Sequence, residues 1–108
     1  MRPASAPGFL FVETANVLLK YHRLTGMPLT EVEVGLQQLR IVVSDVTDDA
    51  VLLSPAVRIA AASNHKVYDC LYLALALERR EPLATADRKL AALANTLSIE
   101  TELIEPAL

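Results

Sequence analysis

The chain has 108 residues, 53% of them hydrophobic and 21% charged, a composition typical of one globular domain and unlike that of disordered segments. Its net charge of -3 excludes a general attraction to nucleic acid or anionic membranes, so a polyanionic partner would need local basic groups or a metal ion. No stretch approaches the roughly 18 uninterrupted apolar residues of a membrane span, and the single cysteine excludes an intrachain disulfide and suits a reducing compartment.

The chain begins with a segment rich in proline and alanine, residues 1–7, which is predicted to be extended and not a strand. This segment has no apolar signal core, so we expect a cytoplasmic protein. From Phe9 onward, apolar residues recur at spacings of three and four, which predicts a helix. Cations followed by Gly26 predict its C-terminal end.

The next stretch is predicted to hold a helix, a strand and a second helix. Thr30, with Glu33 three residues later, has the pattern of a capping box that opens a helix. Residues 40–46, RIVVSDV, are short, apolar and β-branched and are predicted to form a strand. A helix is predicted to follow, and Pro55 to break or restart it.

The C-terminal half is predicted to alternate between helices and strands. A helix from Val67 is apolar on nearly all sides and should be buried. Residues 82–86 are predicted to form a buried strand, residues 88–95 a helix capped by Asp87, and residues 99–105 a last strand. Alternating helices and strands predict an α/β fold with a short parallel sheet flanked by helices.

Three acidic residues are notable for their positions. Glu13 lies in an otherwise apolar helix, with Asn16 three residues later on the same face. Asp69 lies in the first turn of the apolar helix, and no lysine or arginine is expected within reach of it on that helix. Asp87 follows a strand directly, at the carboxyl end, where parallel α/β sheets place their sites.

Each of these acids also has a purely structural explanation. Asp87 is a good helix N-cap, and the helix dipole favours Asp69 in a first turn. Glu13 could be a solvated charge. If the three are partly buried together, however, their mutual repulsion needs a counter-charge. An acidic cluster without paired histidines or cysteines favours Mg²⁺ or Mn²⁺ over zinc, because these hard cations prefer oxygen ligands.

Three motifs, in this order, make the chain resemble the PIN-domain nucleases, in particular the VapC-type toxins of toxin–antitoxin pairs. They are an E-x-x-N helix at Glu13, a Y-D-x-x-Y-x-A-x-A helix at Tyr68, and a strand-ending T-x-D-R from Thr85 to Arg88. The resemblance implies a single PIN-like three-layer domain over residues 1–108. It also implies Mg²⁺-dependent (or Mn²⁺-dependent) hydrolysis of RNA phosphodiester bonds, and silencing by a small VapB-type antitoxin.

The resemblance also assigns roles to individual residues. The implied catalytic metal ligands are Glu13, Asp69 and Asp87, the implied supporting residues are Asn16 and Thr85, and Arg88 would lie beside the site. Other cations are candidates for phosphate contacts, although a solvated charge is the simpler explanation for each one alone: Lys20, Arg23, Arg79 and Lys89.

The sequence departs from the family pattern at its beginning. A PIN domain opens with a strand that carries the first metal-binding aspartate, whereas no Asp or Glu precedes Glu13 here. We therefore expect an N-terminally truncated PIN-like domain with impaired activity, and a homo-oligomer that covers the exposed sheet edges. One alternative is a catalytically inactive PIN-derived module that binds an antitoxin or self-associates. Another is a native chain that begins upstream of Met1.

Overall fold

Short parallel strand pairs and five helices make up residues 4–104, the part of the chain that the computed structural model describes. The strands are β1 (Ser5–Pro7), β2 (Asp45–Thr47), β3 (Leu83–Thr85) and β4 (Thr101–Leu103). The helices are α1 (Phe9–Thr25), α2 (Leu29–Val42), α3 (Asp49–Ser63), α4 (Val67–Arg79) and α5 (Arg88–Thr96). The predicted α/β class with parallel strands is confirmed.

The chain divides into two compact units, one up to Asp49 and one from Ala50 onward. Each unit holds one pair of parallel strands, β1–β2 in the first and β3–β4 in the second. That the whole chain acts as one domain stays a prediction. Residues 1–3 of the predicted leading segment and residue 105 of the last predicted strand lie outside the described residues. None of the described helices has both the length and the apolarity needed to cross a bilayer.

The prediction that residues 1–7 contain no strand is wrong for residues 5–7. β1 pairs with β2 so that Ser5 lies opposite Asp45 and Pro7 lies opposite Thr47. The amide of Gly8 continues the ladder by donating to the Thr47 carbonyl at 2.9 Å. The hydrogen-bonding partner lies forty residues away, so the local proline and alanine content carried no sign of it.

The first predicted helix is confirmed as α1. Its first amide, that of Phe9, donates to Oδ1 of Asp49 at 3.0 Å, so an acid from a distant segment satisfies a helix-end donor. At the other end Gly26 adopts a left-handed conformation, with φ 75°, and its amide donates to the His22 carbonyl. Glycine suits this position because a Cβ is disfavoured in the left-handed region.

The predicted capping box is wrong, and the strand predicted over residues 40–46 is confirmed only at its end, where β2 lies. α2 already begins at Leu29, after the extended Pro28, and no side chain caps it, so Thr30 lies inside the helix. The helix continues to Val42, and β2 starts only at Asp45. Helical packing overrides the β-branched composition here, because the spacing from buried Val32 to the buried C-cap Val43 matches three helical turns.

The predicted break at Pro55 is also wrong, because α3 runs through this proline without interruption. Proline removes the hydrogen bond to the carbonyl of Val51, four residues earlier, but this part of the helix is exposed and water can satisfy that oxygen. Leu52, Ala56 and Ala60 are buried at intervals of four residues. Their packing holds the helix together across the missing bond.

The core of the second unit forms around α4, and the prediction of a buried apolar helix is confirmed. Its buried residues are Cys70, Leu71, Leu73, Ala74, Leu75 and Ala76. The helix ends where Arg80 adopts a left-handed conformation, with φ 53°, and the amide of Glu81 donates to the Ala76 carbonyl at 3.0 Å. Only Arg80–Pro82 separate α4 from β3, so the chain reverses direction at once.

Two glycines should respond differently to replacement by alanine: Gly26, the C-cap of α1, and Gly35, inside α2. Gly26→Ala should lower the free energy of unfolding by about 1 kcal/mol, because its φ is positive even though space is open around it. Gly35→Ala should be neutral or raise it by up to about 1 kcal/mol, because alanine favours helix and the nearest atom, Leu18 Cδ1, lies 3.4 Å from the added Cβ.

Urea denaturation followed by circular dichroism measures both changes. Gly26→Asn is the control, because asparagine tolerates the left-handed region and should lose less stability than alanine. Equal losses for Gly26→Ala and Gly26→Asn would contradict the conformational explanation.

Candidate functional site

Asp87 follows β3 directly and caps α5, as predicted from its position. Its Oδ1 atom accepts hydrogen bonds from the amides of Lys89 at 2.9 Å and Leu90 at 3.2 Å. Its own amide donates to the hydroxyl oxygen of Thr85 at 3.1 Å. The other carboxylate oxygen, Oδ2, has no hydrogen bond to any residue between 4 and 104. The cap therefore fixes the carboxylate through one oxygen only.

Asp69 lies in the first turn of α4 and is half-buried. Its side chain forms no hydrogen bond with another residue in the described part of the chain. The helix N-cap is Lys66, which provides no side-chain cap, so the favourable dipole at this helix end acts on Asp69. A half-buried carboxylate with unfilled acceptor sites is suited to a cation or a hydrogen-bond donor from outside the chain.

No lysine or arginine lies within reach of Asp69 on α4, as predicted, but Lys66, the N-cap that directly precedes this helix, is three residues away. The Lys66 ammonium lies 5.4 Å from the centroid of the Tyr68 ring. Hydrogen bonding to Tyr68 raises the pKa of Lys66, and the negative charge of Asp69 acts in the same direction. The spacing of three residues was the available sequence signal, but Lys66 precedes the predicted helix start and was not counted.

The thiol of Cys70 is adjacent to Asp69 in sequence and has no exposed surface. Burial raises the pKa of Cys70, and the charge of Asp69 raises it further. The thiol therefore stays protonated at neutral pH and is a packed apolar group, not a nucleophile.

Asp69 and Asp87 both belong to the second unit, at the beginning of α4 and directly after β3. Only residues 80–82 connect this helix to this strand, so we expect the two elements to run in opposite directions and to bring the two acids toward the same end of the unit. Parallel α/β folds use this end of the sheet for their sites.

Glu13 and Asn16 belong to the first unit, on α1. Glu13 is half-buried and Asn16 is exposed, and they lie on one face of the helix. The three predicted ligands are thus divided between the two units. Within neither unit do three histidine, cysteine, aspartate or glutamate residues of the described chain form a group that could hold a metal ion. The convergence of Glu13 with Asp69 and Asp87 stays a prediction.

The donor chemistry of these residues fits a hard divalent cation. Asp69 and Oδ2 of Asp87 offer carboxylate oxygens without hydrogen bonds to the described residues, and Mg²⁺ and Mn²⁺ prefer such ligands. The nearby sulfur, on Cys70, is buried and protonated, which does not favour zinc. Arg88, the first residue of α5, is exposed next to Asp87 and is already engaged by another residue.

A cavity of about 290 Å³ lies at the opposite end of the β3–β4 pair. Its lining combines the end of α4 with the residues that precede the two strands: Ala76, Leu77, Arg80, Glu81, Pro82, Ser98, Ile99 and Glu100. It lies at the amino ends of the strands, away from Asp87. The acidic end therefore remains the better candidate for chemistry.

Comparison with known protein families matches residues 4–95 to the PIN domain. The matched range includes each of the predicted site residues: Glu13, Asn16, Asp69, Thr85, Asp87 and Arg88. No curated protein matches the chain.

Substitutions at Asp87 should separate its capping role from any role of its charge. Asp87→Ala should lower the free energy of unfolding by about 1 kcal/mol, because two amides of α5 lose their acceptor. Asp87→Asn should stay within about 0.5 kcal/mol of the unaltered protein, because its amide oxygen can accept the same bonds. Chemical denaturation measures both values, and equal destabilisation by the two variants would contradict the capping geometry.

Proposed function

The chain belongs to the PIN-domain family, a family of divalent-metal-dependent nucleases, and from this premise we propose that it is an endoribonuclease of the VapC toxin type. The observation that carries the proposal is the arrangement at the end of β3. There Asp87 is fixed through Oδ1 by the α5 amides, while Oδ2 is left without a hydrogen bond from the described residues. A rigid carboxylate with an open oxygen is suited to holding a metal ion.

In this proposal Glu13, Asp69 and Asp87 hold Mg²⁺ or Mn²⁺. When bound, such an ion lowers the pKa of water and stabilises a phosphoryl oxygen as negative charge develops during hydrolysis. Water activated in this way would form a bond to phosphorus as the bond to the leaving ribose oxygen breaks, so no side chain would become covalently modified. The buried Cys70 thiol beside the site is consistent with this chemistry, because it is not available as a nucleophile.

The remaining site residues position the carboxylates and the substrate. Thr85 accepts the Asp87 amide and so fixes the backbone from which the carboxylate extends. Asn16 supports Glu13 from the next turn of α1, and Arg88 contacts a phosphate beside the cleaved bond. The RNA substrate would be cytoplasmic.

RNA cleavage in the presence of Mg²⁺ or Mn²⁺ should depend on the two acids of the second unit. Asp69→Asn and Asp87→Asn should each reduce the cleavage rate roughly 100-fold or more, because several kcal/mol of charge stabilisation are lost with the metal. Glu31→Gln and Glu102→Gln are matched controls, since both are exposed acids outside the site and should retain full activity.

Calorimetry with Mn²⁺ provides a second measurement that does not depend on activity. The unaltered protein should show saturable binding that Asp87→Asn weakens. If the unaltered protein cleaves no RNA, the nuclease proposal for this chain fails, whether or not the protein binds Mn²⁺.

A second candidate function is a PIN-derived module that acts through protein contacts, either with a VapB-type antitoxin or with further copies of itself. Large apolar side chains on the first unit favour it. The exposed fractions of Leu24, Ile41 and Val42 are 72%, 78% and 66%. Contiguous exposed apolar patches are typical of surfaces that another protein covers, and these residues are the candidates for such a patch.

The purified chain should therefore self-associate. Light scattering at micromolar concentration should give a mass of at least twice the 11.8 kDa of one chain. Replacing Leu24 and Ile41 by serine should shift the mass toward that of a monomer, because the apolar area covered in the assembly is lost. A monomeric mass for the unaltered chain would contradict the oligomer and leave the antitoxin as the partner for this surface.

A further inference from the structure

α1 carries a polar stripe that begins at Glu13. Glu13, Asn16, Lys20 and Arg23 follow one another at spacings of three, four and three residues, which places them on one face of the helix. Asn16, Lys20 and Arg23 are exposed, whereas Glu13 is half-buried. With a rise of about 1.5 Å per residue, the stripe extends about 15 Å from Glu13 to Arg23.

The two cations of this stripe have no partner among residues 4–104. Lys20 and Arg23 form no hydrogen bond, ion pair or ring contact with a described residue. Two of the other cations are engaged: Arg40 lies 5.5 Å from the centroid of the Phe11 ring, and Lys66 lies beside Tyr68. In a chain with a net charge of -3, two unengaged cations one helical turn apart form a local basic patch.

Helix stability alone does not account for both cations. Arg23 lies in the last turn of α1, where the helix dipole favours a positive charge. Lys20 precedes that turn, where the effect of the dipole has declined. An additional explanation is needed for the lysine.

An aromatic side chain lies next to the cations. Tyr21 is 51% exposed, and its neighbours on that side of the helix, Val17 and Leu24, are 50% and 72% exposed. Surfaces that bind single-stranded nucleic acid combine cations for the phosphates with aromatic rings on which bases stack. The C-terminal half of α1 presents both.

We propose that the Asn16–Lys20–Arg23 stripe of α1 binds the backbone of single-stranded RNA and leads it toward Glu13, with one base stacked on Tyr21. This inference rests on the proposed nuclease function for the role of Glu13, but the binding itself does not require cleavage. RNA is the occupant because the patch pairs basic groups with an aromatic ring. The net charge of -3 gives the chain no general attraction to a polyanion, so the attraction to phosphates must come from a local patch such as this one.

The test measures binding of a fluorescent single-stranded RNA by anisotropy, without divalent metal, over a range of salt concentrations. The double variant Lys20→Gln/Arg23→Gln should bind roughly 10- to 30-fold more weakly near 0.1 M salt. Its plot of log affinity against log salt should be less steep by about 1.4, because each lost phosphate contact removes about 0.7. Tyr21→Ala should weaken RNA binding without changing the salt slope, whereas Tyr21→Phe should retain the binding because it keeps the aromatic ring.

Two further variants separate the stripe from net charge and from folding. Arg58→Gln/Arg80→Asn removes two positive charges away from the stripe, as the first double variant does within it, and changes the net charge from -3 to -5. Asparagine is chosen at position 80 because it tolerates the left-handed conformation found there. This control should keep the salt slope of the unaltered protein. Lys20→Arg/Arg23→Lys keeps both charges and should retain binding, and circular dichroism verifies the helix content of every variant.

The proposal would be overturned if Lys20→Gln/Arg23→Gln and Arg58→Gln/Arg80→Asn lost affinity and salt slope equally. The net charge of the protein, and not the stripe, would then explain RNA binding. Unchanged binding by Lys20→Gln/Arg23→Gln would overturn it as well, even if the unaltered protein cleaves RNA. If the unaltered protein binds RNA through the stripe and cleaves none, the binding surface stands and the nuclease proposal falls.

Discussion

Burial of α4 is the constraint on which the second unit depends. Six of its residues, between Cys70 and Ala76, are buried, and each of the three leucines among them contributes about 1.5–3 kcal/mol relative to exposure. A helix packed on so many sides cannot rotate or slide without opening a cavity. Asp69, which directly precedes this segment, therefore has a fixed position, and only residues 80–82 lead from the helix to β3.

The helices could be predicted from the sequence because their signals are local. Periodic apolar residues located α1, α4 and α5, and the cap at Asp87 and the C-cap at Gly26 were correctly assigned. Strands depend on partners that are distant in sequence, and prediction located β3 and β4 but failed for the first pair. β1 was missed because its partner lies forty residues later, and the β-branched run at residue 40 became part of α2 because its packing followed a helical period.

The candidate site was predicted to a more limited extent. Sequence position placed Asp87 at the carboxyl end of a strand and Asp69 in a first helical turn, and both placements are confirmed. The contacts around these two acids were not predicted. Lys66 lies just outside the expected helix, and the hydrogen bond from the Asp87 amide to the Thr85 hydroxyl depends on the turn after β3. Whether Glu13 joins the other acids depends on contacts far apart in sequence, which spacing along one helix does not encode.

The single thiol of the chain is sealed within α4, with no exposed surface and a pKa raised above its ordinary value. An oxidant or alkylating reagent must therefore wait for the unit to open before it can react. Labelling of Cys70 would thus time the opening of the core, and the folded protein cannot form disulfide-linked multimers through it. A cysteine introduced at any exposed position would be the sole reactive thiol, so a spectroscopic probe could be attached to one chosen residue without altering the native sequence elsewhere.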